Sequence, residues 1–220
     1  MKELLVIICL GCLLQACGTL RHSPKYQLAD DVYEYRQKGT NYQKAFLYVE
    51  EDTMKILLPK EPYTPIIPRT GEDQFFLKRS FDIDVMTVAF KYRPAVAYLP
   101  RQLDTDFNGN VFIGYRLDRF RIKVKNTPVG LRKSFSHRGI TLGGFGGIGS
   151  SSVTPWTTNN QTFDEYNAFI ISRGLAIMIG VNHLTVGVGV GWDYLTDRDK
   201  DIWIYQNKPW YGLTVGLNLN

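Results

Sequence analysis

The chain has 220 residues, room for one domain of ordinary size plus a tail. Its 13 Tyr, 12 Phe, 4 Trp and 20 Gly favour an all-β fold. The formal net charge of +5 permits anionic partners such as lipid headgroups without demanding one, and the three cysteines (Cys9, Cys12 and Cys17) all lie near the start, which excludes a disulfide or a cysteine-based metal site from the rest of the chain.

The first element is a leader. Lys2 is followed by an apolar run from Leu4 to Leu14 and the small residue Ala16, the pattern of a secretory signal. The run is too short for a membrane-spanning helix. Leu14-Gln15-Ala16-Cys17 resembles the lipobox of bacterial lipoproteins, with Gly18 after the cysteine. The resemblance covers only the leader. It implies that residues 1–16 are a signal peptide, that cleavage precedes Cys17, and that Cys17 carries lipid on its thiol and amine. Cys12 has Cys9 instead of leucine three positions before it and is the weaker acceptor. By resemblance to sorting in Gram-negative bacteria, Gly18 in place of Asp favours the outer membrane, with the anchor on the periplasmic side. Each buried methylene of such an anchor contributes about 0.8 kcal/mol.

Residues 17–74 are expected to hold a lipid-anchored tether, a short periplasmic β meander and a proline-rich linker. The meander is read from Val32, Tyr33 and Tyr35, a turn near Lys38-Gly39-Thr40-Asn41, and the apolar runs Ala45 to Val49 and Met54 to Leu58 across Glu50-Glu51-Asp52. Two of its strands could instead join the barrel described next. Pro59, Pro62, Pro65 and Pro68 mark the linker, since prolines at this density oppose both helix and central strand.

Residues 75–220 read as long strands separated by turn-rich loops, with candidates at roughly 81–98, 108–124, 139–152, 166–181, 184–195 and 209–219 and no helical period. The last two are the most regular. Leu184, Val186, Val188, Val190, Trp192 and Tyr194 alternate with Thr185, Gly187, Gly189, Gly191 and Asp193. Tyr211, Leu213, Val215, Leu217 and Leu219 alternate with Gly212, Thr214, Gly216, Asn218 and Asn220. Successive side chains in a strand point to opposite faces, so each strand has a bulky apolar face and a small or polar one. A glycine face makes a poor solvated surface, whereas a narrow crowded interior inside a lipid-facing barrel fits it.

Two irregularities stand out. Arg173 falls on the bulky face of 166–181, which is costly near mid-membrane and predicts a bulge, a snorkelling geometry or a different register. The apolar phase of 108–124 slips, with Val111, Ile113, Tyr115 and Leu117 on one parity and Phe120, Ile122 and Val124 on the other, which predicts a bulge or tight turn near Asp118.

Asn182-His183 is a two-residue connection and Thr196 to Lys208 a long one, as in barrels with short periplasmic turns and longer outer loops. The 125–138 connection is long for such a turn. Since six strands fall below the usual minimum of eight, about eight are expected, with a hairpin from 26–58 or a split segment making up the number. The last segment resembles the C-terminal targeting strand of outer-membrane barrels but ends in Asn220 instead of an aromatic. The wider resemblance of 75–220 is to small bacterial outer-membrane barrels, and it rests on patterning.

The motifs that carry chemistry elsewhere are weak here. Gly144-Phe145-Gly146-Gly147-Ile148-Gly149 matches GxGxxG, but no helical pattern follows, so crowded barrel glycines explain it better than a dinucleotide site. Asp197, Asp199 and Asp201 open like a calcium loop, but Ile202 and Lys208 replace the required Gly and Glu. Ser136-His137 has the chemistry of a nucleophile and base, but strand neighbours point apart and no partner acid is identifiable. His22, His137 and His183 show no metal spacing. Asp82 and Asp84 share a strand face, Asp118 and Asp193 also suit an interior, and Arg116 is on Asp118's parity and could pair with these acids as a structural plug. Arg119, Arg121, Lys123, Lys125, Arg132, Lys133 and Arg138 form a basic stretch suited to anionic lipid phosphates at a membrane edge, or to a charged strand end. Trp156, Trp192, Trp203 and Trp210 fall near expected strand ends, where an aromatic girdle would lie.

The expected protein is therefore an all-β outer-membrane lipoprotein: a small antiparallel up-and-down transmembrane barrel preceded by the meander. It is read as a structural scaffold or envelope-complex subunit without catalysis, cofactor or metal. Its partners are membrane lipids and envelope proteins, not nucleic acid. The alternatives are a lipid-tethered soluble lipocalin-like barrel binding a small apolar ligand, and a lipid-modifying hydrolase using Ser136 or His137.

Overall fold

The computed structural model describes residues 27–50, 53–59, 73–128, 130–181 and 184–218. The leader with Cys17, most of the proline-rich segment, Asn182-His183 and the terminal Asn220 lie outside them. The described residues form an all-β, antiparallel structure. Its strands are β1 (Asp31–Gln37), β2 (Gln43–Glu50), β3 (Thr53–Leu57), β4 (Asp73–Arg93), β5 (Gln102–Asp104), β6 (Asn108–Thr127), β7 (Gly130–Val153), β8 (Tyr166–Val181), β9 (Leu184–Leu195) and β10 (Pro209–Asn218).

β4, β6, β7, β8, β9 and β10 pair in that order, and β10 pairs back onto β4, which makes a ring of six strands. Each ring strand overlaps one of the six segments read from the sequence. The expected total of about eight is corrected: no segment splits, and β1–β3 join the sheet without entering the ring. β4 is long enough to serve both bodies. Its first residues pair with β1, through Leu77↔Glu34 and Gln74↔Gln37, while its later residues, Asp84 to Tyr92, pair with β10.

The loops sort by length. β6 and β7 run on to Thr127 and from Gly130, so the connection expected over 125–138 is strand, ending in a tight turn. β8 and β9 are likewise separated by two positions, 182–183. At the opposite end the connections 94–107, 154–165 and 196–208 are long. They enclose a small core of Val153, Ala168, Ile170, Leu195, Trp203 and Tyr205.

The predicted phase slip near Asp118 is not a bulge. β6 keeps its register with both neighbours through that point. The surroundings change instead. Before Asp118 the inward side chains include Asn108, Asn110 and Arg116, and the outward ones are Val111, Ile113, Tyr115 and Leu117. After it the inward side chains are Phe120, Ile122 and Val124, and the outward ones Arg119, Arg121 and Lys123. A true bulge lies in β4, where the pairing steps from Leu213↔Phe90 to Thr214↔Val88 and Ala89 is the extra residue.

Outside the ring, the extensions of β4 and β6 carry the meander on an ordinary apolar core. Tyr33, Tyr35, Leu47, Ile56, Phe76 and Phe120 are buried together. Tyr33 meets Phe76 and Phe120 edge-on, with centroids 5.9 and 6.0 Å apart. The turn from β1 to β2 carries Gly39 at φ +92°, a conformation glycine adopts without steric cost.

Where β4 begins, Arg121 donates to Asp73 at 2.5 Å. That hydrogen bond, against some burial and helped by Arg121, Lys123 and Lys38, holds the Asp73 carboxyl below its usual range. A depressed carboxylate contributes stability above its unfolded pKa, about 3.9, and loses it as the pH falls through the lower folded value. The difference in unfolding free energy between wild type and Asp73→Asn is therefore expected to be constant above about pH 5. It should shrink toward zero on acidification, in denaturant titrations repeated across pH. A difference independent of pH would show that the charge of Asp73 is not what contributes.

Candidate functional site

The ring is inverted relative to a soluble barrel. Its outer wall is apolar, with Phe81 63%, Leu142 61% and Val188 61% exposed. Its interior holds Asp82, Asp84, Ser172, Thr214 and Asp193, all at 0%. The alternation is that read for β8, β9 and β10, and it follows from the period-two geometry of a strand. Arg173 keeps the predicted register: it is exposed on the outer wall, opposite Gly146 on one side and Trp192 on the other. No bulge turns it inward.

Inside, two charged layers sandwich an apolar one. The first lies at the short-turn end. Arg116 Nε donates to Asp118 at 2.9 and 3.1 Å, and its Nη1 donates to Asp82 Oδ2 at 3.3 Å. Thr141 also donates to Asp82 at 2.9 Å, and His137 Nε2 lies 2.7 Å from Asp118 Oδ1. Thr185 donates to Asp84 at 3.4 Å. The parity argument that allowed Arg116 to meet interior acids is thus realised. The guanidinium fits because Gly139 and Gly180 flank it: a Cβ at either would sit 2.8–2.9 Å from Arg116 Nη2.

The middle layer is Met86, Val88, Phe112, Phe145, Met178 and Trp210. It fills the lumen with packed side chains. Beyond it Asp193 accepts from Lys91 at 3.1 Å, Arg93 at 2.6 Å and Ser172 at 2.6 Å. Arg93 also donates to Asp104 at 3.2 Å. Lys91 stands 5.0 Å over the Trp210 ring, and Arg93 lies 4.9 Å over that of Tyr205. Sequence reading named Asp193 and missed Lys91, Arg93 and Asp104. A signal was present: Phe90-Lys91-Tyr92-Arg93 alternates aromatic with cation. The bulge at Ala89 puts these cations on the opposite parity from Asp82 and Asp84, and so hides their shared interior.

The remaining candidates are dispersed. His137 turns toward the interior and stacks on Phe120 at 4.7 Å, whereas Ser136 is exposed on the other side of the strand. The glycines of GxGxxG lie inside β7 with no helix after them. Asp197 caps the 3-10 turn Arg198–Asp201 by accepting from Arg198 N at 2.7 Å, and Asp199 accepts from Tyr166 at 2.7 Å. No group of three or more metal-ligating side chains occurs among the described residues. The girdle reading fails for two tryptophans: Trp203 and Trp210 are buried at 2% and 0%, one in the loop core and one in the lumen. Trp192 lies on the outer wall, and Trp156 is exposed on a long loop.

Comparison with protein-family models, with curated proteins and with solved structures finds no match, so any function for this chain is argued from its own geometry.

Proposed function

We propose that the chain is an outer-membrane lipoprotein whose six-stranded barrel crosses the bilayer. It serves as a plugged, non-catalytic scaffold or subunit of an envelope assembly, tethered through lipid on Cys17. The observation that carries this reading is the exchange of faces along β6. Its outward side chains are apolar up to Leu117 and basic from Arg119, while its inward ones change the opposite way. An uninterrupted strand reverses its polarity in this manner when it passes from an apolar surrounding into water. β7 does the same between Arg138 and Ile140, which are the register partners of Arg119 and Leu117.

The dimensions agree. From Phe169 to Ile179 the outer face of β8 runs about 33 Å along the strand, or about 25 Å across a bilayer at the tilt usual for such barrels. Exposed Tyr98, Phe107, Trp156 and Phe163 on the long loops suit the headgroup level at the far side. A packed lumen supports scaffolding over conduction. It also weighs against a lipocalin-like carrier, which needs an internal apolar cavity.

The test is carbonate washing and heat-modifiable gel mobility of the Cys17→Ala protein in outer-membrane fractions. Retention with a mobility shift is expected. Release to the soluble fraction without a shift would refute the spanning barrel. Arg173 supplies an independent check. A charge on the lipid face near mid-bilayer costs about 2–4 kcal/mol, so Arg173→Leu should stabilise the vesicle-inserted protein by about 2 kcal/mol in urea titrations. A soluble barrel would gain nothing from one more exposed leucine.

A further inference from the structure

The outer face of the sheet just beyond the apolar wall is basic, and its arrangement is costly by itself. Arg119 and Arg138 are direct cross-strand partners, and so are Lys125 and Arg132. All four are exposed. Like charges directly opposite each other in an antiparallel pair are destabilising. Other cations nearby have acids to offset them: Arg79 lies 3.5 Å from Glu34 and Arg121 2.5 Å from Asp73. Arg119 and Arg138 make no ion pair with any described residue, and Arg119 instead lies 5.1 Å over the Phe75 ring. The next outward pair toward the apolar wall is Leu117↔Ile140. A pair of guanidinium forks thus sits one step beyond a pair of aliphatic side chains.

We propose that Arg119 and Arg138 form a clamp for the phosphate of an anionic phospholipid whose acyl chains lie on Leu117 and Ile140. This rests on the membrane-spanning reading and names the lipid it selects. Two guanidinium groups present planar donor forks that match phosphate oxygens, and an anion between them removes their mutual repulsion. The adjoining apolar pair favours a lipid over a soluble phosphate, because a free phosphate leaves Leu117 and Ile140 uncovered. Lys125 and Arg132 extend the positive field on the same face.

The experiment uses the full chain reconstituted in phosphatidylcholine vesicles with a trace of spin-labelled phosphatidylglycerol or spin-labelled phosphatidylcholine. The fraction of each label immobilised at the protein is read by electron paramagnetic resonance. Wild type should prefer the phosphatidylglycerol label by at least about fivefold, the scale of one basic residue at a charged surface. Arg119→Gln with Arg138→Gln should bring the preference close to one, whereas Lys38→Gln with Lys44→Gln, the same charge change on the β1–β2 hairpin, should leave it intact. Should the double arginine variant fail to insert, salt titration of the wild-type preference, with glycerol phosphate as a soluble competitor, takes its place. The expected results there are loss in molar salt and little competition. Equal immobilisation of both labels by wild type overturns the clamp while leaving the spanning barrel standing. Effective competition by glycerol phosphate overturns the lipid as its occupant. Immobilisation of neither label overturns the spanning barrel and the clamp with it.

Discussion

Replacing Arg116 by alanine is expected to cost the barrel about 3–5 kcal/mol, the largest loss among its single substitutions, because it leaves carboxylates buried without their cation. Asp82 and Asp118 both accept from Arg116, and all three side chains are almost wholly buried. Thr141 and His137 remain as neighbours, but they do not replace a full guanidinium charge between two acids. The loss should be read as a shift in the urea midpoint of the vesicle-inserted protein at constant slope. Converting the group together, as Arg116→Met with Asp82→Asn and Asp118→Asn, should recover most of the loss, since removing every charge leaves none uncompensated. If Arg116→Ala alone lies within about 0.5 kcal/mol of wild type, the ion pairs are not what holds this layer.

The second large effect contrasts two neighbouring glycines. Gly143→Ala should destabilise the ring by about 3 kcal/mol, at the upper end for overpacking. A Cβ there would stand 2.2 Å from the Ile113 carbonyl oxygen and 2.5 Å from the Gly114 Cα, atoms of the adjacent strand backbone that have no way to swing aside. Gly144 faces outward, and its Cβ would meet nothing closer than 3.6 Å, so Gly144→Ala should fall within about 0.5 kcal/mol of wild type. Equal effects at the two positions would mean that the strands are farther apart than the ring requires. The contrast also tests the reading of GxGxxG, since a phosphate-binding loop would make Gly144 the sensitive residue.

The crowding at Gly143 has a simple source. An eight-stranded barrel is just wide enough for side chains to fill it, and six strands leave less room still. Glycine on the inward face of β7, β9 and β10 lets neighbouring backbones approach, and the few large inward groups occupy the space left over. Trp210 takes the middle of the lumen in this way, against the expectation that it would ring the barrel from outside.

Much of this arrangement was legible in the chain. The inward and outward faces of β8, β9 and β10 follow from alternation alone, as does the outward placement of Arg173. The kinship of Arg116 and Asp118 follows from their shared parity. The readings that went astray share a cause. For β6, the reversal at Asp118 looks in the sequence like a register slip, because a chain position carries no sign of whether water or an apolar surrounding lies beside it. For Lys91 and Arg93, one inserted residue at Ala89 exchanges the faces downstream.

Local pattern therefore determined strand identity and facing, because a side chain's direction in a strand depends only on its position along that strand. The number of strands in the ring, and the charges that meet inside it, were decided by the tertiary structure. Lys91 reaches Asp193 across 102 positions of sequence, and β10 closes onto a strand that begins at Asp73. Such contacts depend on how the strands stagger as they curl into a ring, a property of the whole sheet that no single segment encodes.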